Sequence, residues 1–544
     1  MASIKSSSNL VTELRQPLVE VNVRSDTAEA GVSANAVATP PKAKSDVDGR
    51  PRTRVLKHFS FYFSSRLLMT LASFISFPIN TRIFTRAQYG MLSIADTTLS
   101  FAASCAKLGI QHSALRYYAE FQENKRDLDI TYYYGTTLIA VLLTSAVVTL
   151  AYAIGLELIF NNSQDREFVS VLRFMTLLIF LNAVERVCFS FLRAEEKSKL
   201  YSLLDLMGTY LGILSVVFFV VLLKFGVLGF FIGRTIIFAL ICVYIITKLV
   251  QSGKLRFTSF SFPLFKELLA YGLPLFCFEL SSTLLSLGDR YILQYYMGES
   301  VVGLYAAAAS LANYAVACYA EPMALAIVPI YLRLWEKQGK LETSQFLSEA
   351  IKYHLIISIP VLFGLSVLGR QVLVLLASNE FEAGYQIIPL VAAGFIVYNA
   401  HYIYAAGLYI KKKTSTLMAV NLTAATINIA LNFFLIPRYG LMGTAVSTLI
   451  AHLFLMIITT ICSNRIIHLR LPFQSILKYV GLSFLMIIVV NTIPGNGLGM
   501  LFTKVLIGFL TYSAGILLIE PELRVRMAVL VNRINDRRLG RTKI

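Results

Sequence analysis

The side chains of this sequence best equipped for chemistry are charges and hydrogen-bonding groups set inside long apolar runs. Arg66, Arg173 and Arg234 each lie within such a run, and Arg290 follows Asp289 at the end of another. Glu185 and Arg186 are neighbours inside one run, and Glu279 stands in the middle of Phe276-Cys-Phe-Glu-Leu-Ser-Ser282. A charge at bilayer depth costs at least about 2.5–3.5 kcal/mol on insertion scales, which makes each of these a functional candidate. Arginine keeps its charge there, and its planar fork matches phosphate oxygens, so arginines in a wet interior would neutralise an anion. Glu279, Glu185 and Asp289 could pair with such cations or exchange an ion during a cycle. Successive helical residues point about 100° apart, so Glu185 and Arg186 are expected to pair with other helices rather than with each other. Asp96, Asp205 and Glu321 fall nearer the ends of their runs.

Softer polar groups accompany these charges. His354, His401 and His452 could relay protons, although hydrogen bonding alone also accounts for a lone helical histidine. Asn421, Asn428 and Asn432 recur at i, i+7 and i+11 and so share one helix face, toward a partner helix or a sugar. Asn399, His401 and Tyr402, with Tyr398 and Tyr404 beside them, form a polar patch that could touch a sugar. The six cysteines are scattered through apolar runs, with no C-x-x-C pair and no Cys/His cluster, so neither a disulfide nor a metal site is expected. No G-x-x-x-x-G-K-[ST] loop is present, so no ATP site of that kind is expected.

Elements that could position such groups follow from composition. Of 544 residues, 56% are hydrophobic and 15% charged, and the mean hydropathy is +0.66. Soluble domains carry about 25% charged residues. The apolar residues gather in runs long enough to span about 30 Å of hydrocarbon as helices. Continuous rather than alternating apolar runs exclude a barrel. About fourteen spans are predicted, from 58–80 to 498–519, and the first two are the most polar. The net charge of +18 comes from basic residues in alternate connections, including Lys411-Lys412-Lys413 and the tail after Glu520. That is the footprint of the positive-inside rule rather than of nucleic-acid binding, and it puts both termini in the cytoplasm. Residues 1–57 and 520–544 are read as cytoplasmic tails, the first disordered. Connections are too short for a folded head, which argues against a membrane glycosyltransferase or polymerase. Similar spacing in 58–250 and 266–464 suggests duplicated six-helix bundles joined by a linker at 251–265, with 475–519 as two extra spans.

Three stretches carry a family resemblance: Phe77-Pro-Ile-Asn-Thr-Arg-Ile-Phe-Thr-Arg-Ala-Gln-Tyr-Gly90, continuing to Ala114-Leu-Arg-Tyr-Tyr118; Tyr271-Gly-Leu-Pro274 with Gly288-Asp-Arg-Tyr291 and Val302-Gly-Leu-Tyr305; and Asn428-Ile-Ala-Leu-Asn432 with Leu435-Ile-Pro437 and Gly443-Thr-Ala445. Together they resemble the Wzx-like polysaccharide flippases of the multidrug/oligosaccharidyl-lipid/polysaccharide exporter superfamily. The resemblance implies an all-α membrane protein with two pseudo-symmetric six-helix bundles around a central cavity and two C-terminal helices. It implies flipping of an undecaprenyl-diphosphate oligosaccharide across a bacterial inner membrane, with no cofactor and with a proton or sodium gradient as the drive. Polysaccharide polymerase and chain-length proteins would be its partners. Arg66, Arg234, Arg173 and Arg290 are then the candidates for the diphosphate, with snorkelling or an ion pair as the plainer role for each. A lipid II flippase or a cation-coupled drug exporter of the same superfamily is the alternative, and the deep arginines disfavour the drug exporter.

Overall fold

The computed structural model describes residues 68–525 apart from 123–128, 161–165, 470–471, 496 and 522. Arg66 and the stretch 1–57 lie outside the described residues, as does the tail from 526 onward. Among the described residues every regular element is helical. The described residues open with α1 (68–83) and α2 (Arg86–Lys107). Thr85 caps α2 by a reciprocal box in which its hydroxyl takes the Gln88 N–H and the Gln88 side chain takes the Thr85 N–H. Left-handed Leu108 and Gly109 end α2 and lead into α3 (Ile110–Gln122), a short helix where the sequence suggests only a basic connection.

Four longer helices follow: α4 (Ile130–Phe160), α5 (Arg166–Ala194), α6 (Ser198–Val216, continued by a π-helical turn to Leu222) and α7 (Gly226–Gln251). With α2 and α3 they make the first group, in which α5 packs against α2, α3, α4, α6 and α7. The second group begins with α8 (Phe262–Leu287), capped by Ser261 and interrupted by Pro274. It continues through α9 (Asp289–Met297), α10 (Glu299–Gln338) and α11 (Lys340–Leu376). Next come the short helices α12 (Ile388–Asn399), α13 (His401–Tyr404) and α14 (Ala406–Ile410), then α15 (Thr414–Asn464). Finally α16 (Phe473–Asn491) and α17 (Leu498–Ile519) pair with each other and lean on α11.

Eleven helices among the described residues are long and apolar enough to cross a membrane. The 51 residues of α15 are two arms, because Gly440 at φ 54° and ψ −128° breaks the run three residues after Pro437. α2 is not among the eleven, and its packing shows why. From Tyr89 to Lys107 it is wedged between α10, α5, α4 and α8, so its serines, threonines and Asp96 face protein or cavity rather than lipid.

Two glycine contacts bring the groups together at opposite ends of α2. A Cβ on Gly303 of α10 would stand 2.0 Å from the Arg86 carbonyl oxygen, and one on Gly90 would stand 2.0 Å from that of Glu299. A Cβ on Gly109 would stand 2.0 Å from the Gly272 carbonyl oxygen of α8. The connection between the groups is strapped to the first one. The Ser261 N–H donates to Thr136 Oγ1 at 3.0 Å, and a Cβ on Gly135 would meet the Ser259 carbonyl oxygen at 2.2 Å. Glu195, in the turn after α5, has a side chain only 4% exposed. It takes Lys254 Nζ of that connection at 2.6 Å, Lys197 Nζ at 2.5 Å and the hydroxyl of Tyr134 on α4.

Burial pushes the Glu195 carboxyl up, but Lys197, Lys254 and Tyr134 outweigh it and hold it below the usual carboxylate range. Its stabilising contribution is therefore complete above the ordinary carboxylate pKa and is lost as pH falls through the lower folded value. Thermal midpoints of wild type and Glu195→Gln should differ at pH 7 and converge in acid; a gap that persists in acid contradicts the strap. Gly303→Ala should cost about 1–3 kcal/mol by overpacking, read as a lower midpoint of the solubilised protein. An unchanged midpoint would show that α2 and α10 are not pinned there.

Candidate functional site

A cavity of about 770 Å³ lies between α2, α3, α5 and α7 on one side and α8 and α12 on the other. Lys107, Arg186, Arg193 and Arg234 are its permanent cations, His112 adds an imidazole, and Glu279 is the carboxylate among its lining residues. All four cations come from the first group, and the carboxylate comes from the second.

Glu279 is held entirely from across the cavity. Its Oε1 accepts from Lys107 Nζ at 2.8 Å and from Ser104 Oγ at 3.0 Å. Its Oε2 accepts from Gln111 Nε2 at 2.7 Å, with His112 Nε2 at 3.5 Å. Ser104 and Lys107 are three apart on α2, and the left-handed break at Leu108–Gly109 turns α3 so that Gln111 and His112 reach the same carboxylate.

Arg234 of α7 donates through Nη1 to Asp96 Oδ1 of α2 at 2.6 Å, both side chains being about one-third exposed. Its guanidinium also lies 5.4 Å from the Phe238 ring. Arg186 borders the cavity beside it, its Nε 3.6 Å from Glu185 Oε2. The Glu185 side chain is 5% exposed and that of Arg186 47%, so the carboxylate is buried while the arginine stays about half exposed. The two neighbours therefore do approach each other, against the sequence expectation. Arginine is long enough to fold back over an adjacent turn, and burial gives the Glu185 carboxylate nothing better to meet. A smaller pocket of about 320 Å³ between α1, α5, α6 and α7 shares Arg186 and Arg234 with the cavity and holds Glu185 and Asp205. Arg193 donates to Ser190 Oγ at 3.1 Å and keeps a buried Nε without an acceptor.

Other expected site residues lie elsewhere. Arg173 forms a two-pronged pair with Glu157 at 2.8 and 3.0 Å on the exterior, where both side chains are more than half exposed, so it is not a cavity cation. Asp289 and Arg290 face different ways. Asp289 is fully buried and takes the hydroxyls of Tyr305 at 2.5 Å and Thr448 at 3.3 Å, while Arg290 Nη1 donates to Thr97 Oγ1 of α2 at 3.2 Å.

Asn428 continues that buried network. It donates to Thr448 at 3.4 Å and accepts from Asn432 at 3.0 Å, and Ser447 donates to Asn432. With no exposed surface, Asn428 is closed to a sugar. Asn399 spends its amide on the Phe395 carbonyl at 2.9 Å. The His401 nitrogens and the Tyr402 hydroxyl are buried without polar partners. Tyr398 is the member of that patch that lines the cavity.

Lys107, Gln111, His112 and Arg193 were not recognisable as site residues in the sequence, because they sit where an apolar run gives way to a basic connection. The signal available was the spacing Ser104, Lys107, Gln111 in a segment with few other charges.

The comparisons with known proteins agree with this architecture. The profile of the family described as polysaccharide biosynthesis protein matches residues 55–335. A probable low-salt glycan biosynthesis flippase, Agl15 of Haloferax volcanii, is 22% identical over 300 residues, 53% of this chain and 62% of that one. The chain thus aligns with less than two-thirds of that relative's length. Among solved structures, the lipid II flippase MurJ in an inward closed conformation superposes with TM-score 0.69 at 17% identity, covering 86% of this chain and 99% of that one. An inward-facing multidrug resistance MATE family transporter of the MOP superfamily superposes with TM-score 0.62 at 14% identity, over 74% and 94%. The fold is that of a multi-pass membrane transporter of this kind.

The two arginine pairs should behave differently. A double-mutant cycle of Asp96→Asn with Arg234→Gln, followed by thermal midpoint, should show clear coupling, because both groups are about two-thirds buried and joined at 2.6 Å. The cycle of Glu157→Gln with Arg173→Gln should show almost none. Equal coupling in the two cycles would contradict the assignment of Arg234 to the interior and Arg173 to the exterior.

Proposed function

The chain belongs to the polysaccharide biosynthesis protein family, and from that premise we propose that it carries a lipid-linked oligosaccharide, with its diphosphate, across the bilayer. The observation that carries this reading is the cavity wall: among its described lining residues Lys107, Arg186, Arg193 and Arg234 face one carboxylate, Glu279, with Asp96 and Glu185 set beside Arg234 and Arg186 outside that lining. A diphosphate cannot enter hydrocarbon uncovered, and cations held in a wet interior remove most of that cost. A pore for a cationic drug would need the opposite balance, so the drug-exporter reading is disfavoured. The glycan named for the archaeal relative points the same way.

In its finer form the cargo is an undecaprenyl-diphosphate oligosaccharide that moves from the cytoplasmic to the periplasmic leaflet of a bacterial inner membrane. The eleven qualifying helices, the second arm of α15, and α1 and α2 make up the fourteen spans of this reading, as two six-helix bundles and an extra pair. The bundles rock about the cavity in alternating access, driven by a proton or sodium gradient. Arg234 keeps its place as a diphosphate contact, joined by Arg186. Arg66, within the first predicted span (58–80), would join them. Polymerase and chain-length proteins would take the cargo on the far side.

Surface polysaccharide in cells carrying Arg186→Gln or Arg234→Gln should fall about tenfold or more at matched protein levels, as expected for losing about 1.4 kcal/mol or more of binding. Normal export in both single variants and in the double would remove the cationic-cavity reading. A thiol reagent that cannot cross the membrane should label Lys412→Cys only in inverted vesicles, and labelling in intact cells would reverse the orientation.

A further inference from the structure

Glu279 occupies the place where an anion is best received. A lysine ammonium, a primary amide, a hydroxyl and an imidazole converge on its two oxygens at 2.8, 2.7, 3.0 and 3.5 Å. Such a set of donors recognises phosphate oxygens as readily as carboxylate oxygens. None of the four belongs to the second group of helices, which supplies the carboxylate. The seat is open on its cavity side, since the side chains of Glu279 and His112 are 28% and 44% exposed while that of Lys107 is 10% exposed. Arg186, Arg193 and Arg234 line the same cavity, so an anion displaced from the seat has other cations to meet.

The mechanical setting gives the contact a consequence. Glu279 lies five residues beyond Pro274, which breaks the backbone ladder of α8, and seven beyond Gly272, which rests against Gly109 with no room for a side chain. Pro274 gives α8 a place to bend, and the bonds from Glu279 tie the helix beyond it to α2 and α3.

We propose that Glu279 is an internal substitute for phosphate: it fills the Ser104–Lys107–Gln111–His112 seat when the cavity is empty, and the diphosphate of a polyprenyl lipid displaces it and frees α8 from α2 and α3. This rests on the reading that the cargo carries a diphosphate. Two anions in one poorly solvated seat repel, so occupancy by one excludes the other. The empty carrier is thereby kept shut at this seam, and the ligand supplies the exchange that opens it.

The test uses the full chain in lipid nanodiscs, with farnesyl diphosphate, farnesol and inorganic pyrophosphate as probes. Glu279→Gln keeps the shape and removes the competing charge, so farnesyl diphosphate should bind about tenfold tighter than to wild type while farnesol is unchanged. Lys107→Gln should weaken it by a similar factor. Hydrogen–deuterium exchange over 100–112 and 274–284 should rise in Glu279→Gln without ligand, and in wild type on adding farnesyl diphosphate. If wild type prefers farnesyl diphosphate to farnesol but Glu279→Gln binds no tighter, the exchange falls and the diphosphate reading stands. If no form of the chain separates farnesyl diphosphate from farnesol, that reading falls too. Pyrophosphate binding as tightly as farnesyl diphosphate would overturn the lipid source. Should Glu279→Gln not be recovered folded, Gln111→Glu places a second carboxylate in the seat and should weaken farnesyl diphosphate about tenfold; unchanged binding overturns the proposal.

Discussion

A charge inside a membrane protein has to be answered by another charge or by several hydrogen bonds, and in this molecule the answers are given across the seam between two groups of helices. Glu279 of α8 is satisfied only by α2 and α3. Arg290, at the start of α9, reaches Thr97 of α2 through Nη1 and keeps a buried Nε without an acceptor. Removing one member of such a set leaves the others buried and unpaired, which is far costlier than removing all of them. The polar seam therefore determines how the groups meet, and the glycine contacts at Gly90–Gly303 and Gly109–Gly272 determine how closely. Between those contacts the cavity is kept open and cationic.

Charge is divided unequally between the two sides. The first group brings Lys107, Arg186, Arg193 and Arg234 to the cavity, with Asp96 and Glu185 balancing two of them. Apart from Glu279, Arg290 and Tyr291, which reach α2 and α3, the second group has a polar cluster of its own. Asp289, Tyr305, Thr448, Asn428, Asn432 and Ser447 form a closed, fully buried network that stiffens α9, α10 and α15 against one another. One side is thus suited to receiving an anion and the other to moving as a unit against it. That division suits the proposed carriage of a phosphate-bearing lipid.

Much of the fold could be read from the sequence because hydrocarbon thickness imposes a length on every spanning helix. Among the described residues the apolar runs correspond to helices, and α15 breaks at the Pro437–Gly440 turn, where proline and glycine interrupt its apolar sequence. The polar early runs were the least legible because α2 is surrounded by protein, so its sequence need not be apolar. For the site, depth along a run could be judged but direction around the helix could not. Arg234 and Glu279, deep in their runs, line the cavity. Arg173 lies nearer the outer end of its run and points outward to Glu157. Asn428 shares a face with Asn421 and Asn432 as its spacing indicates, and that face is buried. Lys107 and His112 escaped notice because α3 turns back along the cavity, a path decided by the left-handed pair Leu108–Gly109 and not by any hydrophobic period.

The most direct measurement of whether these cations receive a phosphate group is a cryo-electron microscopy structure of the protein in nanodiscs with a bound polyprenyl diphosphate. Diphosphate density within hydrogen-bonding distance of Lys107 and Arg186, with the Glu279 carboxylate withdrawn from its present partners, is the predicted result. A lipid seated with its diphosphate on the exterior, or in the cavity but away from every one of Lys107, Arg186, Arg193 and Arg234, would contradict it.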